Sequence, residues 1–237
     1  MCAAIVTDQS TNRSPNLMIP SWKDLKFWKS TMWRKISILI QQNKDHITPP
    51  PELIFRPLLE TPLDKVKVFM LFDEPYFNPG VANGLALSFY PTGMFERGGF
   101  DFSPMIFHRV LSEYSADLNV PPPKTGDLSK WAKRGVLLWN ARPTTLKNHT
   151  MGHLSWGWPT LTREMIETVY LVNPKAVFVF FGTYHELYKD ILPEDANKMI
   201  FEPFSPIQDN ISGSRLFSQI NVMLRNQKQK KINWLLD

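Results

Sequence analysis

Residues 66–89 read VKVFMLFDEPYFNPGVANGLALSF. Val66, Val68, Met70 and Leu71 make a short apolar run of strand type, and a loop punctuated by Pro75, Pro79, Gly80 and Gly84 follows at once. Open α/β sheets hold their ligands where buried strands end in such loops, because the carboxyl ends of the strands open into a crevice. Asp73, Glu74, Tyr76 and Asn78 would stand in that crevice. The same pattern also fits an ordinary strand-to-helix connection whose polar residues only meet solvent.

The pattern recurs downstream. Residues 136–139 are an apolar strand that delivers Asn140 and Arg142 into a loop, residues 176–181 end in Gly182 and Thr183, and residues 199–201 run into Glu202-Pro203-Phe204-Ser205-Pro206. Between them, helical spacing marks residues 104–118 through Ile106, Val110 and Leu111, a short helix around Trp131, and helices over 160–172 and 214–225. Upstream, Ser21 is an N-cap candidate for a helix carrying Trp22, Leu25, Trp28, Met32, Ile36 and Ile40. Three prolines, Pro49 to Pro51, stop it. A short helix through Leu53, Ile54 and Phe55 precedes Pro57. Strands alternating with helices predict an α/β three-layer sandwich around a central, mainly parallel four-stranded sheet. Four strand ends then converge, bearing Asp73 and Glu74, Asn140, Gly182 and Thr183, and Glu202. Residues 1–20, rich in Ser, Thr and Asn, read as a flexible arm, and 21–237 as a single domain.

Bulk properties narrow the function. No apolar run approaches the roughly 18 residues of a membrane span, so a membrane partner is not expected. The amino terminus lacks a basic segment followed by an apolar core, and the lone Cys2 cannot form an internal disulfide. The expectation is an intracellular protein, cytoplasmic, nuclear or inside an infected cell, and not a secreted one. The formal charge is +5, and Lys and Arg gather in residues 23–35, 130–134 and 225–231. Such patches track phosphates or only solvate helices. His149 and His153 are spaced i, i+4 but lie in a Gly- and Trp-rich loop with no third ligand, so no metal is expected, and no cofactor.

Taken together, these segments resemble the uracil-DNA glycosylases of the family-one type. The resemblance begins at Ser21-Trp22-Lys23, passes through residues 61–68, is strongest over residues 126–140 (GDLSKWAKRGVLLWN), and closes at Ile232-Asn233-Trp234. The family's water-activating motif, Gly-Gln-Asp-Pro-Tyr-His, aligns with Phe72-Asp73-Glu74-Pro75-Tyr76-Phe77, where only Pro and Tyr are kept. The resemblance implies that Glu74 stands at the catalytic Asp and Glu202 at the His that stabilises the departing uracil anion, both substituted. It places base binding at Asp73, Tyr76, Leu87 and Asn140, with Leu87 at the Phe that stacks on uracil. DNA contacts fall to Ser88, Gly182, Thr183, Ser205 and Pro206, the last at the Leu that wedges into the duplex.

Those departures have physical consequences. An ionised Glu202 would face the uracil anion with like charge, and the loss of one aimed donor alone costs about 100- to 1000-fold in rate. Glu74 is one methylene longer than Asp, and misplacement by about an ångström can cost about 100-fold. Uracil excision is therefore expected to be lost or crippled. In that case the fold serves as a DNA- or protein-binding module, a protein partner docking on residues 90–102, with Tyr90, Phe95, Phe100 and Phe102, or on the acidic pocket. Two alternatives stay open. One is an active DNA glycosylase of altered base specificity in which Glu74 and Glu202 act as a pair and Glu202 is protonated; the other is weak uracil excision. Arg142 could pair with Glu74 or Glu202, or meet a phosphate.

Overall fold

A computed structural model describes residues 21–90, 105–149, 153, 155–182, 186, 188, 190–201 and 210–236. The expected arm over 1–20, most of the aromatic loop over 90–102, and Thr183, Glu202, Ser205 and Pro206 lie outside the described residues.

Four short strands, β2 (Val68–Phe72), β3 (Val136–Asn140), β5 (Val177–Phe181) and β6 (Lys198–Phe201), form one sheet in the order β3-β2-β5-β6. Every pairing is parallel, with Val68 opposite Val136 and Val177, and Phe181 opposite Phe201. The first three strands are buried at every position, as strands covered on both faces must be.

Because side chains alternate along a strand, each strand feeds two cores. Val68, Met70, Val136, Leu138, Val177 and Val179 pack with α3 (Met105–Leu118), α4 (Ser129–Lys133) and α6 (Leu216–Asn226). Phe69, Leu71, Leu137, Trp139, Phe178 and Phe180 pack with α1 (Thr31–Gln42), α2 (Arg56–Glu60) and α5 (Trp158–Val172). This is the expected three-layer sandwich with a parallel four-stranded sheet. The carboxyl-terminal segment is fastened to the first core, where Trp131 donates its indole N–H to the Trp234 carbonyl at 2.7 Å and the two rings meet edge-on.

Three local expectations need correction. The first long helix does not begin at Ser21. That serine caps a single 3-10 turn in a box with Asp24, and α1 starts only after Ser30, whose side chain accepts from Trp33 N–H. The interruption has a cause, since the Lys26 and Phe27 amides donate to the Glu164 carboxylate of α5 at 2.5 and 2.9 Å, withdrawing them from a continuous helix. Pro57 does not end a helix but sits in the first turn of α2, where its missing N–H costs nothing. A two-stranded antiparallel ribbon, β1 (Ile47–Thr48) with β4 (Thr145–Leu146), was not anticipated.

Candidate active site

The carboxyl ends of β2, β5 and β6 open into a cleft of about 380 Å3. Its floor is a stack of three rings from three strands. Phe72 lies 4.5 Å from Phe181 at an interplanar angle of 6°, and Phe181 lies 5.1 Å from Phe201 at 12°. Asp73, Glu74, Tyr76, Leu87 and Gly182 complete the lining that the sequence pointed to, and Ile106 and Ile211 close it from α3 and from the segment before α6. The ring stack and the two isoleucines were missed by sequence reasoning. Phenylalanines at the last positions of three converging strands were the signal that could have found them.

The backbone leaving β2 is held by its neighbour. Ala141 N–H donates to Phe72 O at 2.7 Å and Arg142 N–H to Asp73 O at 3.1 Å, so the parallel ladder runs on past the strands. That extension seats Arg142 beneath the loop, its side chain 2% exposed, with one guanidinium nitrogen 3.3 Å from Oε2 of Glu74. Of the roles left open for Arg142, the ion pair with Glu74 is formed, and Glu202 lies outside the described residues. Buried charges persist only when matched, and Arg142 therefore fixes where the carboxylate sits.

Asn140, opposite Phe72 in the ladder, is buried, and its side-chain Oδ1 accepts no hydrogen bond among the described residues. A buried acceptor left unpaired by the fold is costly, and a ligand is one way to satisfy it. Asn78, by contrast, is exposed and does not line the cleft.

Tyr76 is fixed at both ends of its ring. The hydroxyl donates to Leu87 O at 2.7 Å, and the ring meets Phe89 edge-on at 5.8 Å. Burial pushes the phenol above its ordinary range, so it remains a neutral donor. Leu87 takes φ of 64°, a left-handed conformation unusual for a residue with a side chain. Such strain persists only where surrounding contacts impose it, and the Tyr76 bond is one of them. Ser88, expected to contact DNA, lies inside. Its hydroxyl accepts from Asn83 and from Leu128 N–H and donates to Gly126 O, tying the loop to the segment before α4.

Gly182 follows β5 with φ of 87°, and a Cβ there would collide with the Asp73 carboxylate. The absence of a side chain at 182 is what lets that carboxylate occupy the corner. Behind Arg142, His153 stacks on Trp156 at 3.6 Å and shares a 2.8 Å hydrogen bond with Thr144 Oγ1, which also accepts from the Trp158 indole. Burial, aided by the Arg142 charge and opposed by the Thr144 bond, lowers the His153 pKa from 6.5 to about 4. His153 lies in a turn before α5, as its Gly- and Trp-rich setting predicts, and is buried there against the Trp156 ring that follows it.

Among proteins of known identity, the uracil-DNA glycosylase of Streptococcus pneumoniae is 35% identical over 193 residues, covering 80% of this chain and 84% of its own. That of Pseudomonas fluorescens is 32% identical over 228 residues, covering 92% and 94%. The chain belongs to the uracil-DNA glycosylase family. The crystal structure of mimivirus uracil-DNA glycosylase matches its fold with a TM-score of 0.66 over 97% of both chains at 18% identity. A single-substitution variant of the mimivirus UNG, solved in complex with UGI, matches with a TM-score of 0.70 over 88% of this chain and 84% of that one, at 19% identity. No family model matches the chain. For a uracil-DNA glycosylase fold, the cleft at the strand ends thus carries Glu74 and Tyr76 over an aromatic floor, while Asn140, at the end of β3 opposite Phe72, is not among the residues that line it.

Proposed function

We propose that the protein is a DNA N-glycosylase that hydrolyses the bond between uracil and deoxyribose. The observation that carries this reading is Glu74, a carboxylate lining the cleft and held at 3.3 Å by a buried guanidinium. Cleavage of a glycosidic bond builds positive charge on the sugar and negative charge on the leaving base, so a fixed carboxylate facing the sugar lowers the barrier. In this scheme water attacks the sugar carbon, its proton passes to Glu74, and the bonding pair leaves with the base. Glu74 reaches one methylene further than Asp would, and the pull of Arg142 sets how much of that reach is used.

The remaining residues serve recognition. The unpaired Oδ1 of Asn140 would accept from N3–H of uracil, a donor that cytosine lacks. Tyr76 walls the cleft, Leu87 covers one face of the base, and the stacked phenylalanines lie below. The relatives that are named uracil-DNA glycosylases weigh toward catalysis and against a module that has lost it. The roles of Thr183, Glu202, Ser205 and Pro206 rest on the resemblance alone.

The test is release of free uracil from uracil-containing single-stranded DNA. The expected result is measurable release by the wild type and a loss of about 100- to 1000-fold in Glu74→Gln. Release that Glu74→Gln leaves unchanged would remove the carboxylate from the reaction. Silence of the wild type would return the fold to the binding-module reading.

A further inference from the structure

The opposite edge of the sheet carries a second feature that excision does not use. Where the strands begin, there is a groove of about 450 Å3 whose cations come from three stretches far apart in sequence. Lys65 and Lys67 lead into β2, Lys133 and Arg134 close α4, and Lys230 and Lys231 come from the carboxyl-terminal segment. Against these six cations the lining holds one carboxylate, Asp64, already paired with Lys65 at 2.8 Å. Lys133 also meets a carboxylate, Glu60 at 3.9 Å, which leaves the lining with more cations than nearby acids can match.

The groove is built rather than incidental. Arg134 Nη1 donates to the Asn233 and Leu235 carbonyls at 2.7 and 2.5 Å, which fastens α4 to the carboxyl-terminal segment. Asn173 Nδ2 donates to Val66 O at 3.0 Å, and Gln229 Nε2 to Lys175 O at 2.8 Å. These bonds hold Lys67 and Lys230 close enough that burial, together with their like charges, lowers the Lys67 pKa. A fold that keeps cations together against their repulsion gains nothing in stability from doing so, and an anionic ligand is what would offset the cost.

We propose that this groove is a second nucleic-acid site, binding the phosphodiester backbone of a DNA segment other than the one that enters the cleft. The lining favours nucleic acid over an acidic protein. Interfaces between proteins are centred on aromatic and aliphatic anchors and depleted in lysine, whereas the apolar side chain here is Val66, itself buried. Backbone contacts need cations above all, and the lysines of the lining supply them. Five strand residues and their flanks separate groove from cleft by about 20 Å, the rise of six extended residues, so one helical segment cannot fill both through the same phosphates. Occupied together, the two sites would tether the protein to one segment while the cleft samples another.

The experiment measures binding of the full chain to a uracil-free DNA duplex by fluorescence anisotropy across a KCl series. The variant is the triple neutralisation Lys67→Gln, Lys230→Gln and Lys231→Gln, and the control neutralises Lys23, Lys29 and Lys44, exposed cations outside the groove. The groove variant should lower the slope of log affinity against log salt by about 2 to 3, close to 0.9 for each phosphate no longer neutralised, while the control changes it less. Equal slopes for wild type and groove variant, or an equal loss in the control, would overturn the proposal. So would unchanged duplex affinity accompanied by abolished binding of poly-glutamate, which would assign the face to an acidic protein. Circular dichroism checks that the variant is folded, and a more conservative Lys230→Gln/Lys231→Gln pair serves if it is not. The readout is binding without a target base, so it stands whether or not excision is detected.

Discussion

The two ends of the sheet are made from the same strands and treat charge in opposite ways. Where β2 ends, Glu74 and Arg142 are withdrawn from water and matched to each other; where β2 begins, Lys67 stands among cations with which it cannot pair. The carboxyl-terminal end uses buried contacts to place individual atoms, as the proposed bond cleavage would demand. The amino-terminal end sums a field, for which no single distance matters much. Fixed, paired charges and gathered, unmatched ones are thus kept about a strand length apart.

That contrast can be broken most readily at Arg142. Arg142→Met should destabilise the fold by about 3–5 kcal/mol, because Glu74 loses its buried partner, and the double variant with Glu74→Leu should recover much of the loss. Urea denaturation measures both, and a single-variant loss below about 1 kcal/mol would mean that the pair is as loosely coupled as a surface one. A somewhat smaller effect belongs to pH. His153 has its folded pKa lowered, so the unfolded chain binds its proton first, and stability is full above about 6.5 and is lost as pH falls toward about 4. The loss should reach about 3 kcal/mol, from 1.36 kcal/mol per unit, and His153→Gln should flatten that window in thermal melts taken at several pH values.

Smaller again is Tyr76→Phe, which deletes the bond to Leu87 O and should cost about 1 kcal/mol. A neutral result in chemical denaturation would show that Leu87 holds its left-handed backbone without help. The smallest effect is expected at the other end. Lys230→Gln should leave stability within about 0.5 kcal/mol of wild type, with any change a gain, since it relieves Lys67. A loss above about 1 kcal/mol would mean that the groove, too, depends on fixed partners.

Strands were the most legible part of the sequence. Runs such as residues 136–139 and 176–181 are apolar at every position and too short for a buried helix, which fits a strand covered on both faces, so sheet and layering followed. Helix starts were less legible because their causes lie far along the chain. Nothing between Ser21 and Ser30 announces that Glu164 will claim two of its amides. In the cleft, Asp73, Glu74, Tyr76, Leu87 and Gly182 could be named from motif register, yet the partner of Arg142 could not, because pairing depends on how far the β2–β3 ladder continues. The groove was least legible. Its cations were visible as separate clusters over 130–134 and 225–231, and their convergence is a property of the fold.

The corner shared by Asp73 and Gly182 bears on the order in which this sequence could have changed. With a carboxylate at 73, a Cβ at 182 would overlap its oxygen, so a side chain at 182 requires the carboxylate to swing away. Position 182 is held to glycine twice over, by this contact and by its φ of 87°, which a side chain would strain whatever stands at 73. Changing position 73 first therefore removes the contact but not the preference for glycine at 182.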